Sequence, residues 1–212
     1  MEKEKKGGFC TMYLVRHGQT EWNEKRIIQG QSESLISKIG IKQAKIVGEQ
    51  LKHIEFCSIY SSDLSMAHKT AEIIKLNRKL IIRKSKLLRG RSYGSFEGKH
   101  VDVYKKTLKN KLEERENIPE NEYAAFRLSP FIETDKELIT RVMKKLKKIA
   151  AIHSNGNVLV VTHGGCIKNF LIKIGYMERK LLPEGSFKHG GYMKLFSNGK
   201  NFFIKEIKGF NE

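Results

Sequence analysis

Apolar residues fall along the chain in short runs that alternate with longer stretches of helical spacing. Thr11 to Val15 (TMYLV) is a β-prone run followed at once by Arg16, His17 and Gly18, the pattern of a buried strand delivering a polar loop at its C-terminal end. Ser37 to Leu51 sets Ile39, Ala44, Val47 and Leu51 at helical spacing with Ser37 as N-cap, and Cys57 to Tyr60 then reads as a second buried strand. Strand, helix, strand in that order implies a parallel pair. Ser61 to Ile74 reads as a loop whose Asp63 or Ser65 caps a helix that turns Ala67, Ala71 and Ile74 inward.

After Leu80 to Ile82 comes a stretch with Gly90, Gly94 and Gly98 spaced four apart, which suits a backbone looping close to a ligand or another segment. Residues 99–130 are polar, charged and weakly periodic, and are expected to form surface helices and loops over one end of the sheet, a lid or specificity region. Asp135 to Ala151 predicts an amphipathic helix with Leu138, Val142, Leu146 and Ile149 on its buried face. Asn157 to Val161 (NVLVV) is a further buried strand. It hands over to Thr162, His163, Gly164 and Gly165 much as the first strand hands over to Arg16 and His17. Tyr192 to Phe196, Asn198-Gly199 and Phe202 to Ile207 form a hairpin signal at a sheet edge. The expectation is a single α/β domain over 1–212, with 1–10 flexible.

Composition narrows the classes. The 212 residues are 39% hydrophobic, enough for one sizeable core. No run approaches the roughly 20 apolar residues of a membrane helix, and the N-terminal MEKEKKGG has no apolar signal region behind it, so no membrane role is expected. Cys10, Cys57 and Cys166 are widely separated and lie in or beside apolar runs, poor material for disulfides or a metal cluster and consistent with a reducing cytoplasmic setting. A formal charge of +18 draws the protein toward anions. The lysines are scattered along helices without interleaved aromatic residues, which argues against nucleic acid as the partner.

The candidate chemistry lies in the two strand-end loops. A neutral imidazole is a good nucleophile toward phosphorus, and a phosphohistidine is labile enough for water to hydrolyse it. His17 fits that role. Arg16 would hold phosphate oxygens and disfavour the imidazolium, while the Gly18 carbonyl would fix the tautomer by accepting the other ring N–H. Thr20 and Asn23 offer neutral donors, and His163 would stabilise charge on the transferring group. Either histidine alone is more often structural; two strands ending in His-Gly, one preceded by Arg, point to phosphoryl chemistry.

These segments resemble the histidine phosphatase superfamily, in its phosphoglycerate mutase-like branch. The resemblance runs from Leu14 to about Ile174, on LVRHGQTEWN, Gln29-Gly30, Gly40 with Gln43-Ala44, YSSDL, Thr70-Ala71, YGSFEG and VVTHGG. It implies a three-layer α/β sandwich with a mostly parallel sheet of about six strands, no metal or organic cofactor, a small phosphorylated molecule as partner, and hydrolysis of a phosphomonoester through a phosphohistidine on His17. Gln29, Gly30 and Gly164 join the expected binding set.

Two positions depart from the pattern. The family reads S-D-L-x-R-A where Ser62 to Ala67 stand here, so Met66 replaces a second phosphate-clamping arginine; Gly90 stands where a glutamate serves as proton donor to the leaving group. Losing a general acid costs roughly two to four decades in rate. Candidate substitutes are Glu97 for the carboxyl group and Arg89, Arg91 or Lys69 for the charge. The chain also lacks the paired arginines with which the mutases grip a carboxylate, so mutase activity is not expected. The readings are therefore a phosphatase of weakened activity or, alternatively, a silent phospho-ligand-binding or scaffold member, with nucleic-acid binding through the basic surface as a second alternative.

Overall fold

Strand β1 (Cys10–Arg16) is apolar at nearly every position because both of its faces are covered. In the computed structural model, which describes residues 8–183 and 185–210, it is followed by α1 (Glu21–Glu24), α2 (Lys38–Gln50), β2 (Phe56–Ser62), α3 (Ser65–Lys75) and the edge strand β3 (Ile82–Ser85). Helices α4 (Val101–Thr107), α5 (Lys109–Glu116) and α6 (Glu120–Tyr123) make up the inserted region. Then come α7 (Asp135–Ile152), β4 (Asn157–Thr162), α8 (Gly164–Lys173), β5 (Phe187–Ser197) and β6 (Phe202–Phe210). The flexibility expected for residues 1–10 falls mostly on residues 1–7, which lie outside the described residues.

The sheet has six strands in the order β3-β2-β4-β1-β5-β6, parallel from β3 to β1 and antiparallel at the β5–β6 hairpin. Alternation along the central strands builds the layers. Met12, Leu14, Val158 and Val160 face a core with α7 and α8, whereas Tyr13, Val15, Leu159 and Val161 face one with α2 and α3. A third, smaller cluster, Phe96, Tyr104, Leu128 and Ile132, anchors the inserted helices. Among the described residues no helix is long and apolar enough to cross a membrane.

Two local expectations change. Neither Asp63 nor Ser65 caps α3: Leu64 is the N-cap and makes no side-chain bond, because Asp63 is drawn to Arg89 and the Ser65 hydroxyl and N–H go to Glu33. Ile39, expected inside α2, is exposed, and Gly40 is buried in its stead. Gly40 is held against the loop after β1: a Cβ on Gly18 would stand 2.4 Å from the Gly40 carbonyl oxygen. The Gly18 N–H donates to Thr70 Oγ1 at 3.0 Å, and Ser37 caps Gly40 at 3.1 Å. The loop that carries His17 is thus seated on backbone.

Gly18→Ala is expected to lower stability by about 1–3 kcal/mol, since backbone must move to admit the methyl group. Urea unfolding measures it; an unchanged midpoint would show that the contact is not close.

Candidate active site

Pairing of β1 with β4 brings Arg16 level with Thr162, and the His17 N–H continues the ladder by donating to the Thr162 carbonyl at 3.0 Å. The next residues along, His17 and His163, therefore leave the sheet side by side. Their rings stand 4.9 Å apart, centroid to centroid, in an edge arrangement, and both residues are buried. His17 Nδ1 bonds the Gly18 carbonyl at 2.8 Å. Because that carbonyl only accepts, Nδ1 carries the proton and Nε2 keeps its lone pair.

The electrostatics favour the neutral ring. Burial, then the Arg16 charge, push the His17 pKa down to about 4 against the opposing pull of the Gly18 bond. His163 is held well below the ordinary histidine value by burial and then by His17 and nearby arginines. Arg16 itself is pushed down to about 10 by burial, which still leaves it charged at neutral pH.

Arg16 donates through Nη1 to the Phe187 carbonyl and through Nη2 to His189 Nε2 at 2.8 Å, and α8 starts against it, a Cβ on Gly164 falling 2.9 Å from its Cζ. Arg16 Nε, His163 Nε2 and Gln29 Nε2 are buried with no hydrogen-bond partner among the described residues. Such atoms are costly unless something polar joins them. An anion placed between them and the α8 N-terminus would satisfy them, and a phosphate has the charge and the number of acceptor oxygens.

Arg16, His163 and Gln29 line a cavity of about 890 Å³ together with His17, Asn23, Gly30, Gly90 and Tyr93 and with Tyr104, Tyr123 and Lys105 from the inserted helices. Thr20 does not reach it as a donor. Its hydroxyl donates to Gln29 Oε1 at 2.8 Å and its N–H to Asn23 Oδ1 at 3.1 Å, closing the capping box of α1. It orients Gln29 instead.

The two departures are visible in place. Met66 is buried at the start of α3. Gly90 lies against His163, where a Cβ would stand 3.3 Å from His163 Cγ and 3.2 Å from the Gly30 carbonyl oxygen. None of the suggested substitutes has a free group there. Arg89 is bound bidentately to Asp63 at 2.8 and 2.7 Å, which lowers the Asp63 pKa and raises that of Arg89. Arg91 lines the cavity but pairs with Asp135, and Lys69 pairs with Glu72 at 3.0 Å on the exposed side of α3. Glu97 accepts from Ser32 Oγ at 2.7 Å and from the Tyr93 N–H at 2.9 Å. The carboxylates that do line the cavity, Glu116 and Asp135, are paired with Arg179 and with Arg91 and Arg115.

The sequence pattern typical of histidine phosphatase superfamily branch 1 matches residues 12–208. The chain belongs to the histidine phosphatase superfamily. Among its relatives, it is 35% identical over 161 residues to a protein named "Uncharacterized phosphatase PhoE" of Bacillus subtilis, covering 76% of this chain and 75% of that one. It is 32% identical over 181 residues to "Probable phosphoglycerate mutase GpmB" of Proteus mirabilis, covering 80% and 79%. Among solved structures, Bacillus stearothermophilus YhfR superposes with a TM-score of 0.82 at 26% identity, over 96% of this chain and 98% of that one. The mostly parallel six-stranded α/β architecture is the one this family uses.

Two polar residues at the site escaped the sequence reading. His189 lies in a KHGGY run with no regular period, and Arg141 sits on α7, where the helix pattern marks it only as non-core. Arg141 donates to the carbonyls of Leu87, Arg89 and Gly90 at 3.0, 2.7 and 2.7 Å and pairs with Glu133 at 2.6 Å, so it fixes the loop facing His163.

His17, His163 and His189 all bind a proton more weakly in the fold than in the unfolded chain, whose value is 6.5. Below that value the unfolded chain holds more protons, so their contribution is complete above it and is lost as pH falls toward the folded values. Melting temperature is expected to drop between about pH 7 and pH 5, before most carboxylates titrate, and to drop less in His17→Asn. A flat profile in the wild-type protein would contradict the neutral assignment.

Proposed function

We propose that this protein is a phosphatase that takes the phosphoryl group of a phosphomonoester onto His17 Nε2 and passes it to water. The observation that carries the reading is the His17 Nδ1 bond to the Gly18 carbonyl, which directs the lone pair of a neutral imidazole from Nε2. In the first step that pair forms a P–N bond while the P–O bond to the leaving group breaks, its electrons departing with the oxygen. In the second, water attacks phosphorus, the P–N bond returns its electrons to Nε2, and the water proton is released, giving inorganic phosphate. Arg16 and His163 would hold the equatorial oxygens, where charge is greatest in transfer. Their unpartnered buried nitrogens support that role. The relative named a phosphatase is consistent with it.

With Gly90 in the proton donor's place and the lining carboxylates tied to arginines, the leaving oxygen departs without a proton. Substrates with stable leaving groups should suit the site. A second reading, a phospho-ligand-binding member without turnover, is favoured by the same Gly90 together with the buried Met66.

Phenyl phosphate is expected to be cleaved at least about a hundredfold faster than an alkyl phosphate such as glycerol phosphate, with His17→Ala abolishing both. Gly90→Glu should raise the alkyl rate by about tenfold or more, once the Gly30 carbonyl and the His163 ring yield a few tenths of an ångström. Equal rates on the two substrates would remove the argument from the absent acid. Calorimetric binding of phosphate with no release over long incubation would establish the second reading.

A further inference from the structure

Strand β5 carries an irregularity that the sheet does not need. Phe187 pairs with Phe210 and Tyr192 with Lys208, so five steps on β5 oppose two on β6, and the intervening Lys188–Gly191 segment bulges from the ladder. The bulge is built on glycine. Gly190 has φ +73°, and a Cβ on Gly191 would stand 2.8 Å from the Lys208 carbonyl oxygen. Pairing of β5 with β1 stops at Tyr192 opposite Val15, one residue before Arg16. The bulge thus begins where β1 reaches the site, and Phe187, the paired residue that precedes it, and His189 within it are the two that bond the Arg16 guanidinium.

We propose that the Lys188–Gly191 bulge is a holder for Arg16 and that His189 is a positioning residue for phosphate binding. The inference rests on the reading of the cavity as a phosphate site. Arg16 occupies Nη1 on the Phe187 carbonyl and Nη2 on His189, leaving Nε, buried and unpartnered, for the ligand. A guanidinium tethered at two corners loses little further freedom when a phosphate arrives. The tether is only attractive if His189 is neutral, with Nε2 accepting. Its ring also stands 5.6 Å from that of His17, on the side away from His163, so it walls the nucleophile as well as bonding its neighbour. His189 does not supply the absent proton, because Nε2 already accepts from Arg16. Where Met66 has removed one guanidinium, firmer placement of the remaining one is the compensation available on this strand.

The test is calorimetric titration of inorganic phosphate into the full-length wild-type protein, His189→Leu, His189→Asn and His189→Gln, each also in the His17→Ala background. Leu has no acceptor, and Asn places its oxygen short of the Nε2 position. Both should weaken phosphate binding about tenfold, a typical cost of a charge-assisted hydrogen bond. Gln, whose oxygen matches the Nε2 position, should return it to within about threefold. The Asn and Gln pair decides the matter if Leu fails to fold. Wild-type affinity in Asn or Leu, Gln as weak as Leu, or no phosphate binding by the wild-type protein would each overturn the proposal. Loss of aryl phosphatase activity with the affinity series intact would refute the turnover reading alone, and turnover with a flat series would refute only this one.

Discussion

The register between β1 and β4 is the constraint on which the site depends. Arg16 opposite Thr162 places two strand ends level, and one continued ladder bond, His17 N–H to Thr162 carbonyl, sets two imidazoles 4.9 Å apart. A slip of one residue would turn either side chain to the other face of the sheet. The slip is resisted by the cores on both sides, since it would also exchange the α7–α8 and α2–α3 contacts of Met12, Tyr13, Leu14 and Val15. Burial of apolar strands and placement of the two imidazoles are therefore one structural requirement.

Within that frame the site separates charge from neutrality. The three imidazoles are kept neutral by burial and by Arg16, while Arg16 keeps its charge. The other arginines lining the cavity, Arg91, Arg115 and Arg179, are each paired with a carboxylate. Arg16 is the lining arginine with no carboxylate partner among the described residues, and it stands against the first turn of α8, where the buried donors lack partners. An aromatic contact holds part of the cavity wall, the guanidinia of Arg115 and Arg179 lying over the Tyr123 ring at 4.1 and 3.6 Å. Large parts of the cavity wall are thus held by pairs internal to the protein, while the buried nitrogens of Arg16, His163 and Gln29 are left without partners among the described residues.

Much of this was legible in the residues and some was not. Short apolar runs ending in Arg-His-Gly and Thr-His-Gly marked β1 and β4 because buried parallel strands are apolar throughout and ligands meet them at their C-terminal ends. The Asn198-Gly199 turn gave the hairpin. Helical spacing misplaced Ile39, since a glycine contact, invisible to hydrophobic periodicity, decides which face of α2 turns inward. Met66 and Gly90 stood out against the family pattern, yet the fate of Arg89, Glu97 and Lys69 depended on pairings across the fold, with Asp63, Ser32 and, locally, Glu72. His189 was hidden because a bulge breaks the period that would have placed it.

The central claim is that His17 Nε2 accepts a phosphoryl group. Rapid quench of the protein with phenyl phosphate, followed by phosphorus NMR and peptide mapping under alkaline conditions, tests it directly. The account predicts an acid-labile phosphoramidate on the peptide containing His17, formed in step with phenol release and absent in His17→Ala. Phenol released with no labelled His17 at any quench time, or release that persists in His17→Ala, would contradict it.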